Sequence, residues 1–117
     1  MTRKELLAQY KNQKFRMGIF QIRNQVNGKI LIESSMDLDK IGNRHRLQLN
    51  LGSYPNPTLQ SDWNTFGEEN FQFEILAELE KPSDNERENR NEIKLLEEMY
   101  IEDLQPFGEK GYHKEKV

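Results

Sequence analysis

Cysteine is absent from this 117-residue chain. That excludes disulfides, thiolate nucleophiles and cysteine-ligated zinc. Histidine is almost as scarce: His45 and His113 are the two present, too few for a histidine-rich metal site. No apolar run approaches the roughly 18 residues of a membrane span, and no signal-peptide core follows Met1. The expectation is a cytoplasmic protein with no membrane partner. Internal repeats, low-complexity tracts, a phosphate-binding glycine loop, a nucleophile elbow and a dinucleotide fingerprint are all missing. Hydrophobic residues are 34% of the chain and charged ones 32%, with a mean hydropathy of −0.97. At this length one domain, 1–117, with one modest core is expected.

Charge is present in abundance and unevenly placed. Residues 1–50 carry ten Lys and Arg against four Asp and Glu, whereas residues 51–117 carry seven against sixteen. Such a split suits either a basic face for a polyanion or two solvated surfaces of opposite sign, the second being the commoner case.

The hydrophobic pattern predicts an α+β chain. Residues 2–14 read as a short helix, capped by Thr2 and Glu5 and striped by Leu6, Leu7 and Tyr10, within an N-terminal helical extension over 1–15. Residues 17–24 and 29–35 read as strands, joined through Asn27-Gly28 as a two-residue hairpin turn. Asp37 caps a helix running to Leu51 and stopped by Gly52. Pro57 opens a second helix that ends before Gly67. Residues 70–79 alternate, with Phe71, Phe73, Ile75 and Ala77 on one face. A polar stretch over 81–92 leads into a last helix, capped near Ser83–Glu86 and running to about Gln105. Beyond Gly108 the chain is polar apart from Tyr112 and is expected to be loosely held, with a polar tail over 114–117.

Helical spacing singles out two polar residues. On a wheel of about 100° per residue, His45 falls between Ile41 and Leu49 in the apolar arc of its helix. Glu97 falls at the edge of the arc formed by Ile93, Leu96, Tyr100 and Leu104. A carboxylate on an apolar face is costly unless it is paired or ligates a metal. The bland readings are a core histidine bonded to a carbonyl and a carboxylate at the rim of the core. Glu97 is expected to find a partner in His45, Arg44 or Tyr54.

The order of motifs then becomes informative. Gly18-Ile-Phe20, Asn27-Gly-Lys-Ile-Leu-Ile-Glu33-Ser-Ser and Asn43-Arg-His45-Arg46 are followed by Leu59 to Leu76 with Trp63, Gly67 and Phe71 in place, then Leu96-Glu97-Glu-Met-Tyr-Ile101 and Gly111-Tyr-His113. From residue 18 to 113 the chain resembles the GIY-YIG nuclease domain, in the branch found in homing endonucleases. The resemblance implies a small three-stranded antiparallel sheet flanked by helices. It also implies hydrolysis of a phosphodiester with Mg²⁺ or Mn²⁺.

In that family a first-strand tyrosine relays a proton from the attacking water, a second tyrosine holds the scissile phosphate, and an arginine neutralises its developing charge. A histidine one helical turn later supports them, and a glutamate holds the cation. Carried over, these positions are Phe20, Leu31, Ile41, His45 and Glu97. The glycine closing the second motif falls on Glu33, a further histidine on Tyr54 and a late asparagine on His113. His45 and Glu97 are retained and the rest are altered. The expectation is a degenerate family member, kept as a weak nucleic-acid-binding or interaction module, with no cofactor. The alternative is an active, divergent metal-dependent endonuclease that binds Mg²⁺ or Mn²⁺ on Glu97 and has relocated its site to Tyr54, Tyr100, Arg44 or Arg46. Arg23, Lys29, Arg44 and Arg46, with Arg16 and Lys40, are the candidate contacts to DNA, which is expected to bind weakly and in a salt-sensitive way. Homing enzymes of the family add a separate DNA-binding region after this domain, and the expectation is that these 117 residues do not include one. A monomer or a homodimer fits equally.

Overall fold

The computed structural model describes residues 2–4 and 15–114. The capping box and stripe expected over residues 2–14 lie outside the described residues, apart from positions 2–4. The order is β1 (Gly18–Asn24), β2 (Ile30–Ser35), α1 (Leu38–Leu51), α2 (Pro57–Phe66), β3 (Phe71–Glu78) and α3 (Glu86–Leu104). Short 3-10 turns occupy Glu68–Asn70 and Gly108–Lys110. The strands form one antiparallel sheet in the order β2-β1-β3. This is the expected α+β architecture.

β1 takes the centre and buries side chains on both of its faces. Phe20 and Ile22 point to one side, where they join Leu31, Leu38, Leu49, Tyr54, Leu59, Trp63 and Phe71. Ile19 points to the other and joins Ile32, Leu79 and Ile93. α1 and α2 therefore cover one face of the sheet and α3 the other. Each Ile, Leu or Phe so buried stabilises the fold by about 1.5–3 kcal/mol. Gly18 opens β1 because β3 lies so close that a Cβ there would overlap the Ala77 carbonyl.

Helix ends follow the sequence signals, with one difference of detail. Asn56 caps α2 by accepting from the Leu59 N–H, and Gly52 closes α1 in the left-handed region at φ 75°. Asn85 caps α3 by accepting from Arg87 and Glu88 N–H. Ser83 supports it from outside, its hydroxyl donating to Glu88 and accepting the Asn85 N–H. Asp37 holds the cap position of α1, but its side chain makes no capping bond.

Three expectations are corrected. The β1–β2 connection is not a two-residue turn: Asn24 N–H pairs with Lys29 O, leaving residues 25–28 as the loop. Gly28 alone takes positive φ, because the Asn24 and Asn27 side chains accept the Val26 and Lys29 N–H groups and build side-chain turns instead. In β3, Phe20 pairs with Ile75 but Ile19 with Ala77, so Leu76 is an extra residue. This bulge turns Leu76 and Ala77 toward α3, whereas Phe71 and Phe73 face α1 and α2.

The third correction concerns the segment after α3, which is not loose. Gly111 bridges Ile30 in parallel, Tyr112 N–H donates to Ile30 O, and Tyr112 is 4% exposed. Its hydroxyl donates to Asp62 Oδ2 at 2.8 Å and accepts from Asn24 Nδ2 at 3.1 Å. One buried aromatic ring with two polar anchors is enough to fix a polar segment.

Candidate functional site

The site lies where β2 meets α1. Residues 20 and 31 sit on neighbouring strands of one sheet face, and Ile41 and His45 are one turn apart on the helix that covers that face. The turn after α1 brings back Tyr54. As a result Phe20, Leu31, His45 and Tyr54 meet. The His45 ring lies 5.4 Å from that of Phe20 and 5.2 Å edge-on from that of Tyr54. Ile41 packs against the same cluster. His45 is 7% exposed, as its place in the apolar arc requires.

His45 has an unusual electrostatic setting. Its Nε2 lies 2.9 Å from Glu33 Oε2, within ion-pair distance but out of line for a hydrogen bond. Its Nδ1 has no hydrogen-bond partner among the described residues. Above these residues opens a cleft of about 120 Å³, lined by Leu31, Glu33, His45, Gln48, Tyr54, Pro55 and Asn56. Its lining contains a carboxylate and no lysine or arginine. Burial raises the Tyr54 phenol well above its ordinary range, and the Glu33 charge raises it further. The proton therefore stays on Tyr54 at neutral pH.

Glu97 is not part of this cleft. It stands on α3, across the sheet from α1, and its Oε2 accepts from the Ser34 hydroxyl at 3.2 Å. Ser34, rather than His45, Arg44 or Tyr54, is thus its partner. Burial raises the Glu97 carboxyl above its ordinary value, the Ser34 bond opposes this, and the Glu33 charge adds to it. His113 sits on the outer edge of β2, where its Nε2 accepts the Ile32 N–H at 2.9 Å. Burial lowers its pKa. Glu33, Ser34 and the Ile32 N–H thus tie His45, Glu97 and His113 to one short stretch of edge strand.

No three His, Asp or Glu side chains converge on a point among the described residues. The donors that face together are the Glu97 carboxylate and the Ser34 hydroxyl. They fit only a divalent cation that keeps most of its waters, as Mg²⁺ commonly does.

Most of the candidate DNA contacts are already engaged. Arg23 pairs with Glu74 at 2.9 Å, and Arg16 with Asp39 at 2.8 Å and Glu78 at 3.0 Å. Arg46 lies over the Phe73 ring at 4.2 Å and within 3.8 Å of Glu68. Lys29 stands 5.8 Å above the Tyr112 ring. Lys40 and Arg44 are exposed on α1, without an ion pair among the described residues.

Sequence reasoning missed Ser34, Gln48, Asn56 and the anchoring by Tyr112. None carries a local signal. Ser34 and Tyr112 gain their roles through partners distant in the chain, Glu97 for the first and Asn24 and Asp62 for the second.

No protein-family model matches the chain. It is 38% identical over 74 residues to Intron-associated endonuclease 1 of Enterobacteria phage T4, a match covering 62% of this chain. The chain spans about 30% of the length of that relative. Among solved structures, the catalytic domain of the homing endonuclease I-TevI superposes with a TM-score of 0.70 at 28% identity, covering 86% of this chain and 99% of that one. A mutant of the same catalytic domain gives 0.70 at 27% identity, over 85% and 93% of the two chains. The resemblance to the GIY-YIG nuclease domain is thus borne out in sequence and in fold: over most of its length this chain is similar to the catalytic domain of a homing endonuclease.

Proposed function

We propose that this domain does not cleave phosphodiesters and serves as a binding module on a degenerate GIY-YIG scaffold. One observation carries the reading. The cleft where a phosphate would lie holds the Glu33 carboxylate and no lysine or arginine. Ile41, at the position of the arginine clamp, is packed against the core cluster that contains Phe20. A missing general base costs about 10²–10⁴ in rate. A missing electrostatic clamp costs about 10²–10³ more. Here Glu33 adds repulsion to both.

DNA contact on this reading is weak and salt-sensitive. It rests mainly on Lys40 and Arg44, because the other basic candidates already have intramolecular partners. The test is incubation of purified protein with supercoiled plasmid in Mg²⁺ and in Mn²⁺ across pH. The plasmid stays supercoiled. Nicking that requires the metal and is abolished by Glu97→Ala would overturn the proposal. It would favour a second reading, a divergent active endonuclease, which finds support in the half-buried Glu97 beside the Ser34 hydroxyl. Filter binding of DNA at low salt is expected to show retention that disappears as salt rises.

A further inference from the structure

We propose that the Glu33–His45–Tyr54 cleft is a receptor for a guanidinium cation, so that the position of a phosphate site has become a site of opposite sign. The inference rests on the reading above, that phosphate no longer occupies this place.

Four features support it. First, the cleft holds one carboxylate among its lining residues, together with polar atoms to which nothing is bonded among the described residues. Glu33 Oε1 and the Gln48 side-chain amide make no hydrogen bond among the described residues, and both line the opening. Second, no lysine or arginine pairs with Glu33 among the described residues; the imidazole of His45 lies 2.9 Å from it. The Glu33 charge is felt at Tyr54, Glu97 and His113. Third, His45 is more than nine-tenths buried and lines the cleft, with Nδ1 and Nε2 both lacking an aligned hydrogen bond. A buried polar group left so is costly and points to a missing partner. Fourth, the Tyr54 and His45 rings provide aromatic surface beside the carboxylate.

A guanidinium matches these features better than an ammonium does. Its planar fork meets a carboxylate through two parallel bonds and stacks on aromatic rings, and its weaker hydration makes removal from water less costly. The volume of about 120 Å³ admits the head of an arginine side chain but not a nucleotide.

The test is NMR titration of the full chain, reading amide and aromatic resonances of residues 33, 45 and 54. Methylguanidinium chloride is compared with sodium phosphate at constant ionic strength. The expected result is saturable shifts at the cleft with methylguanidinium and none there with phosphate. Glu33→Gln weakens binding at least about tenfold. Wild-type selectivity stands as evidence even if that variant folds poorly. A short arginine-bearing peptide then separates the sources. Binding at least tenfold tighter than methylguanidinium assigns the cation to a protein partner, and equal binding assigns it to a small solute; either outcome supports a guanidinium site. If methylguanidinium gives no saturable shift, or phosphate displaces it at the cleft, the inference is overturned. With plasmid still intact, that failure leaves the non-cleaving reading standing. Nicked plasmid removes both.

Discussion

Replacing Tyr112 by phenylalanine removes one oxygen atom and tests whether the terminal segment is a structural part of the domain. The hydroxyl is bonded on both sides, donating to Asp62 Oδ2 and accepting from Asn24 Nδ2. Asp62 keeps the Asn27 amide as a donor at 3.2 Å. Asn24 is fully buried, at 0% exposure, and its Nδ2 has no other acceptor among the described residues. Loss of the hydroxyl therefore strands a buried donor, which costs about 1–3 kcal/mol. Ring burial is unchanged, so no cavity contribution is added.

We expect a loss of about 2 kcal/mol in urea unfolding at unchanged m-value. In a domain of this size that lowers the melting temperature by roughly 8 °C or somewhat more. In a cycle with Asn24→Ala the two losses are less than additive by at least about 0.5 kcal/mol, because each variant breaks the same bond. Hydrogen exchange supplies the local readout: the Tyr112 and Ile32 N–H groups, which bond to Ile30 O and His113 Nε2, lose protection before the centre of β1 does. A stability change below about 0.5 kcal/mol, the level of an ordinary surface substitution, would refute the anchoring argument.

Two predictions concern pH. His113 accepts the Ile32 N–H through an unprotonated Nε2, and burial holds its folded pKa below the unfolded value. Its contribution is therefore complete above the unfolded pKa of about 6.5 and is lost as pH falls through the lower folded value. His113→Gln flattens the stability profile over that acid range, and an unchanged profile would count against it. Glu97 behaves in the opposite sense: its folded pKa is raised, so its protonated form is favoured in the fold and stability declines as pH rises from the ordinary carboxyl value of 4.5 through the folded one. Glu97→Gln, which keeps a partner for Ser34, removes that decline in denaturant titrations and is more stable than wild type at neutral pH; equal stability would show that the carboxylate is not penalised. Added Mg²⁺ raises the melting temperature of wild type only slightly, since the donors fit a hydrated ion, and a shift of many degrees would reveal a tighter site.

The local chemistry of the chain was largely legible. Strand alternation, the glycines at 52 and 67 and the proline at 57 set the elements, because these signals act through backbone conformation and burial within a few residues. The inward placement of His45 and Glu97 followed from helical period alone. The errors lay where non-local terms outweighed local ones. Asparagine side chains replaced the two-residue turn at Asn27-Gly28, a bulge at Leu76 moved Ala77 to the other face, and Tyr112 fixed a segment whose composition reads as solvated.

By itself, then, the sequence determined the element order, the sheet and the residue types at Phe20, Leu31, Glu33 and Ile41. Tertiary structure decided the pairings. Nothing in the spacing of residues 33, 45 and 97 says that Glu33 meets His45 while Glu97 meets Ser34. That outcome depends on the sheet lying between α1 and α3, with consecutive β2 side chains pointing to opposite faces. Charge at a site is a sum over groups brought together by folding, so the sign of the cleft emerged only when strand and helix were packed together.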